Sequence, residues 1–201
     1  MTVQLNRFRK AVAQFDAVNC EDPNQESYQG KTFPKELLYA QRMTACLAQL
    51  APDASEALRL AARSQHIARW EIPRSNYPLD RLGYQKWRTT LNRFHAEKAG
   101  EILSILEYND ETISRVQGFL LKKHLKSDPE MQLLEDVICL VFLESYFSDF
   151  SKKHEENKMI EIVQKTWKKM SARGHEAALQ LDLRPEDLAL IRKALSQSLS
   201  R

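Results

Sequence analysis

An all-α fold is predicted by three features of this 201-residue sequence. Glycine is scarce, with five in the whole chain, well below ordinary usage. Ala, Leu, Gln, Lys, Arg and Glu, which lose little conformational freedom on entering a helix, dominate the composition. Apolar side chains recur at intervals of three and four along most of the chain, the spacing of one helix face. The length suits one domain, residues 1–201, that buries its own core in a bundle of about eight helices.

Leu5, Phe8, Val12 and Phe15 place a first helix over about Thr2 to Val18. The segment EDPNQESYQGKTFPK, rich in turn formers, reads as a loop. Pro34 then opens a second helix whose buried side holds Leu37, Leu38, Met43, Leu47 and Leu50. Ser55 or Asp53 caps a third helix running to about Trp70, on which Leu58, Ala62 and His66 fall on one inward line. IPRSNYPLDRLG, with Pro73 and Pro78, must be a loop. A fourth helix from about Tyr84 to Tyr108 carries His95 near its middle.

Asp110 is placed to cap a fifth helix, and KKHLK at its end suits the negative pole of the helix dipole. Asp128-Pro129-Glu130 starts a sixth, whose run from Val137 to Leu143 is apolar without a break and therefore central. Asp136 shares a face with Leu133, Leu140 and Leu143, so a carboxylate enters the core. Left unpaired it would cost several kcal/mol, on the order of what any buried lone charge costs, so a partner is required, either a metal ion or an arginine such as Arg63 or Arg88. Residues 155–201 form C-terminal helices, with Ile160, Val163, Trp167 and Met170 on one stripe and Leu188, Ile191, Leu195 and Leu199 on the last. Such stripes serve equally for packing on the body or for a homodimer seam.

The net charge of +3 excludes a globally basic nucleic-acid binder, so any positive field must be local. Cys20, Cys46 and Cys139 are odd in number and lie in no C-x-x-C pattern, which fits a reducing cytoplasm. No stretch approaches the roughly 18 apolar residues of a membrane span, so no membrane partner is expected. One segment stands apart. From Arg63 to His95 the chain gathers Arg69, Arg74, Arg81, Arg88, Arg93 and Lys86, interleaved with Trp70, Tyr77, Tyr84, Trp87 and Phe94. Guanidinium forks match phosphate oxygens, and aromatic faces stack on rings or hold arginines in place. The expected partner is a phosphate-containing small molecule, ahead of RNA. Arg69, Arg74, Arg81 and Arg88, with Trp70, Tyr84 and Trp87, are the candidate binding residues. Two imidazoles and a carboxylate on three successive core helices, His66, His95 and Asp136, make a first shell for one divalent metal, such as zinc, manganese or iron. Hydrogen-bonded core residues are the structural alternative.

Several blocks carry a resemblance: DPN at Asp22, PKELLY from Pro34 with Gln41-Arg42-Met43, AARSQHIARWEIPR, YPLDRLGYQKWR, FHA at Phe94 and LEDVICLVFLE from Leu134 to Glu144. Over nearly its full length the chain resembles the uncharacterised family designated domain of unknown function 4202, which brings no established activity. More distantly, the order His, His, Asp on successive helices is similar to the HD phosphohydrolases, all-helical metal enzymes that cleave phosphoesters. That superfamily's second histidine is followed by an aspartate, whereas His95 is followed by Ala96, so one metal rather than two is implied. The resemblance implies an HD-like core over 1–150 and hydrolysis of a nucleotide or related phosphate ester. Asp136 and Arg88 would then act in catalysis, the first as a metal ligand and the second on the transferring charge. The other expectation is a non-catalytic module that binds an anion or RNA through residues 63–95.

Overall fold

A computed structural model describes the backbone of residues 2–125 and 127–199 and the side chains of 5–125 and 127–197. Lys126 of KKHLK and the side chain of Leu199 lie outside them. The fold is mainly α, as the composition predicts, and the chain divides into two compact units, Met1–Ser127 and Asp128–Arg201. No helix among the described residues is long and apolar enough to cross a membrane.

The first unit comprises α1 (Thr2–Asn19), a hairpin of β1 (Gln25–Tyr28) and β2 (Lys31–Pro34), α2 (Lys35–Leu50), α3 (Glu56–Ser64), α4 (Arg81–Ile105) and α5 (Asp110–Leu120). At its centre is α3: it lies against α1, α2 and α5, and Leu58, Leu60, Ala61 and Ala62 have no exposed surface. Ser55 caps it by accepting from the Leu58 amide at 3.1 Å. Arg63, also buried on α3, forms a bidentate pair with Asp16 at 2.7 and 2.5 Å, so it is bound into the core.

The hairpin replaces the loop expected over residues 21–35. Gln29 and Gly30 both have positive φ, 50° and 73°, which is the backbone of a two-residue turn matched to strand twist. Antiparallel pairing of Tyr28 with Lys31 through Gln25 with Pro34 follows. The neck is closed by Asp22, whose Oδ1 accepts from the Asn24 amide and Oδ2 from the Glu36 amide, both at 2.9 Å. Pro34 is thus the last strand residue, and Asp22 supplies the acceptor that satisfies the start of α2. α5 is capped by Asn109, one residue before the expected Asp110, through the Thr112 amide.

The second unit comprises α6 (Pro129–Val141), a π-helical turn Phe142–Tyr146, then α7 (Phe147–Ser151), α8 (Glu156–Trp167), α9 (Ala172–Leu179) and α10 (Pro185–Leu199). Met131, Leu134, Val137 and Val141 on α6 are fully buried, as its unbroken apolar run requires. α8 and α10 pack on each other within the unit, with Val163, Ile191 and Ala194 buried.

Glycine is required in the first turn of α4. A Cβ at Gly83 would fall 2.2 Å from the Pro78 carbonyl oxygen. Gly83→Ala should therefore destabilise the protein by about 1–3 kcal/mol. Gly118→Ala on α5 would meet nothing within 4 Å and should stabilise it by about 0.5–1 kcal/mol through helix propensity. Paired urea unfolding curves check both signs.

Candidate functional site

The site grows from the place where α3 stops. Instead of continuing to Trp70, the chain turns at Ser64, with hydrogen bonds from the Ile67 amide to the Ser64 carbonyl and from the Arg69 amide to the His66 carbonyl. Ala68 is left-handed, φ 51° and ψ 30°. For a residue with a Cβ this costs about 1–2 kcal/mol, and no residue type in the sequence announces it. Two side chains hold the turn from other elements. Asn19, the last residue of α1, accepts from the Ala68 amide through Oδ1 at 3.1 Å. His95, on α4, donates from Nδ1 to the Ile67 carbonyl at 2.8 Å.

This turn brings Arg69 back over His66, with Nη1 at 3.0 Å from Nε2. A guanidinium is always a donor, so His66 Nε2 carries the lone pair and the ring proton sits on Nδ1, 3.2 Å from Glu36 Oε2. Tyr39 stacks flat on the imidazole with centroids 4.0 Å apart. The Arg69 guanidinium also lies 3.8 Å from Glu36 Oε1 and 4.8 Å above the Trp87 ring. The His95 ring is 5.9 Å from that of His66. With Nδ1 committed to Ile67, His95 Nε2 is a buried lone pair with no hydrogen-bond partner among the described residues.

The electrostatics follow from burial and from cations. Burial pushes the Glu36 carboxyl up to about 7, against the pull of Arg69 and Lys35. Burial also holds His66 well below the ordinary histidine range, and Arg69, Arg88, Lys122 and Lys35 add repulsion. His95 is pushed down to about 3, chiefly by burial and then by His66. Burial lowers Arg69 as well, with Glu36 opposing. At neutral pH the site therefore holds two neutral imidazoles and a carboxyl group near its midpoint beside several cations.

His66 and His95 do come together, but His66 lies in the turn rather than on the inward line of α3. Its side chain is 21 % exposed. Arg88 is half-buried and has no hydrogen bond or ion pair among the described residues, so its charge is available. Arg81 is exposed on the first residue of α4. Arg74 is committed elsewhere: it donates to the carbonyls of Tyr77 and Pro78 at 2.9 and 2.5 Å and knots the 73–80 loop. Trp87 is buried and donates to the Ile72 carbonyl at 2.9 Å, while Tyr84, 46 % exposed, leans on it at 5.8 Å. Trp70 is half-buried in a three-ten turn beside Arg69.

Asp136 belongs to the second unit and is engaged there. It accepts from the Ser171 amide and hydroxyl at 2.7 and 2.5 Å and from Gln132 Nε2 at 3.1 Å. The buried carboxylate has the partner it required, but the partner is polar, not arginine. Gly174 is needed beside it, since a Cβ there would sit 2.7 Å from Oδ1. Among the described residues no three His, Cys, Asp or Glu side chains are grouped so as to hold a metal ion.

A family model described as Domain of unknown function (DUF4202) matches residues 9–191. The chain belongs to this family. Comparison with curated proteins and with solved structures returned no match. In this DUF4202 protein the residues that sequence reasoning missed are Glu36, Tyr39, Asp22 and Asn19. A glutamate in a first helical turn reads as a solvated helix-dipole partner, and its burial depends on the hairpin neck, which has no local signature.

The raised Glu36 carboxyl has a pH signature. Between about 4.5 and 7 the folded chain keeps a proton that the unfolded chain has released, so its contribution to stability is full below 4.5 and is lost as pH rises through 7. The histidines act oppositely, losing stability as pH falls below 6.5, and a substitution isolates the carboxyl. Relative to the parent, Glu36→Gln should gain roughly 3 kcal/mol between pH 4.5 and 8 and then level off. Denaturant unfolding across that range measures it.

Proposed function

We propose that this protein binds a phosphate-bearing small molecule at the cluster of Glu36, His66, Arg69 and Arg88. The observation that carries the reading is the Arg69 guanidinium set 3.0 Å from a neutral, partly exposed imidazole that also lies in the positive field of Arg88, Lys122 and Lys35. Most N–H donors of Arg69 are uncommitted, and Arg88 has no partner among the described residues. A phosphate would give Arg88 a counter-charge and Arg69 a second one beside Glu36. Tyr84, exposed beside Trp87 and Arg69, offers a face to a ring attached to that phosphate. A single compact anion suits this better than RNA, because Arg63 and Arg74 are occupied by Asp16 and loop carbonyls.

The same field bears on the metal expected on His66, His95 and Asp136. Repulsion between a divalent cation and several nearby guanidinium and ammonium groups opposes its entry. Both His66 nitrogens face partners, and Asp136 is bonded to Ser171. His95 Nε2 is left with an open lone pair among the described residues. The surroundings of His66 and His95 do not suit the ion, and the proposed binding uses none.

Hydrolysis of the bound ester is a second reading, favoured by Glu36. A group titrating near 7 is well matched to general acid–base work, and Glu36 would take a proton from attacking water and return it to the leaving alkoxide. His95, pushed to about 3, is too weak a base and serves as a hydrogen-bond acceptor.

Inorganic phosphate should raise the melting temperature of the parent, by an amount equivalent to about 2.7 kcal/mol at a hundredfold excess over Kd. Arg69→Ala and Arg88→Ala should abolish most of that shift. A parent that ignores phosphate, or variants that respond like it, would remove the reading. In a screen of phosphate monoesters with and without chelator, turnover that persists in chelator and disappears in Glu36→Gln supports hydrolysis. One equivalent of bound zinc, manganese or iron, lost in both His95→Ala and Asp136→Ala, would instead establish the metal-dependent mechanism.

A further inference from the structure

We propose that Asn19 is the positioning residue of the anion site: by holding the left-handed turn at Ala68, it keeps the Arg69 guanidinium over His66 and so sets ligand affinity from outside the site. The inference rests on the anion-binding reading above and names a residue far from it in sequence.

Asn19 has no exposed surface, and neither has Ala68. An amide buried that completely needs an acceptor, and Asn19 Oδ1 is the one it has. The other half of the Asn19 side chain argues that the acceptor is the reason for the residue. Its Nδ2 is buried with no hydrogen-bond partner among the described residues. A side chain chosen for packing would not carry that unsatisfied donor into the core. The place it braces is the one where bracing matters. Ala68 follows the carbonyl that orients His95 and precedes the guanidinium that caps His66. If Ala68 relaxed to an ordinary helical conformation, α3 would run on, and Arg69 would leave its place over the His66 ring and the face of Trp87.

The test is isothermal titration of inorganic phosphate into the full chain. Asn19→Ala is expected to raise Kd at least tenfold at a temperature where circular dichroism shows it fully folded. Asn19→Asp keeps the acceptor oxygen and should bind within about threefold of the parent, since the bond to Ala68 is preserved. Adding Ala68→Gly to Asn19→Ala should recover part of the lost affinity, because glycine adopts the left-handed conformation without steric cost. If Asn19→Ala melts earlier but binds phosphate with the parent's Kd, Asn19 merely packs and the proposal is overturned. Equal losses in the Ala and Asp variants overturn it as well. Should Asn19→Ala not fold, Asn19→Gln, which shifts the oxygen by one methylene, takes its place with the same expected loss. A parent that binds no phosphate would defeat the anion reading alone. Positioning is then read from the Arg69 side-chain proton resonances, which the Trp87 ring current shifts. Their return to ordinary values in Asn19→Ala supports the role, and unchanged values in that variant overturn it.

Discussion

The left-handed residue at Ala68 is the constraint through which the first unit's packing becomes chemistry. α1, α3 and α4 all meet there: α3 ends, α1 supplies an acceptor from Asn19, and α4 supplies a donor from His95. None of these bonds is large alone. Together they outweigh the about 1–2 kcal/mol that an alanine loses in that conformation. The turn so fixed presents Arg69 and His66 as a contiguous pair, a feature that a continuous α3 would have lost.

The site carries strain of a second kind. Glu36 and both histidines are held away from their ordinary titration ranges by burial, and cations stand close to a neutral imidazole. His95 Nε2 has no partner among the described residues. Core residues selected for stability would settle these groups. Their persistence in one place, on elements packed well enough to hold them, is what the proposed binding would demand of the fold.

Helical spacing made most of the architecture legible. Leu58 and Ala62 on α3 and Val137 on α6 are buried as their periodicity requires. The burial of Asp136 was also readable, because a carboxylate among leucines on one face has nowhere else to go. Its partner was not, since Ser171 is distant in sequence and a serine can bond almost anything. The meeting of His66 and His95 was legible from their elements, but the reason for it was not, because α3 ends without a glycine or proline. Glu36 escaped for a related reason: a Lys-Glu pair opening a helix looks solvated, and the hairpin neck that buries it joins residues fourteen apart. Sequence periodicity reports which face is apolar; it does not report which polar group a tertiary bond will draw inward.

The hairpin neck has a bearing on how this chain tolerates change. Asp22 fixes the backbone on both sides of the hairpin, at Asn24 and at Glu36, so the strands beyond it close on themselves. Extra residues inserted at Gln29 and Gly30 would lengthen a loop whose ends are already tied, a change that adds only slowly to its closure entropy. Glu36 would stay where it is. The tip is therefore the natural point for attaching a fluorophore or an affinity handle, and the place where length variation would accumulate without moving the carboxyl group beside His66.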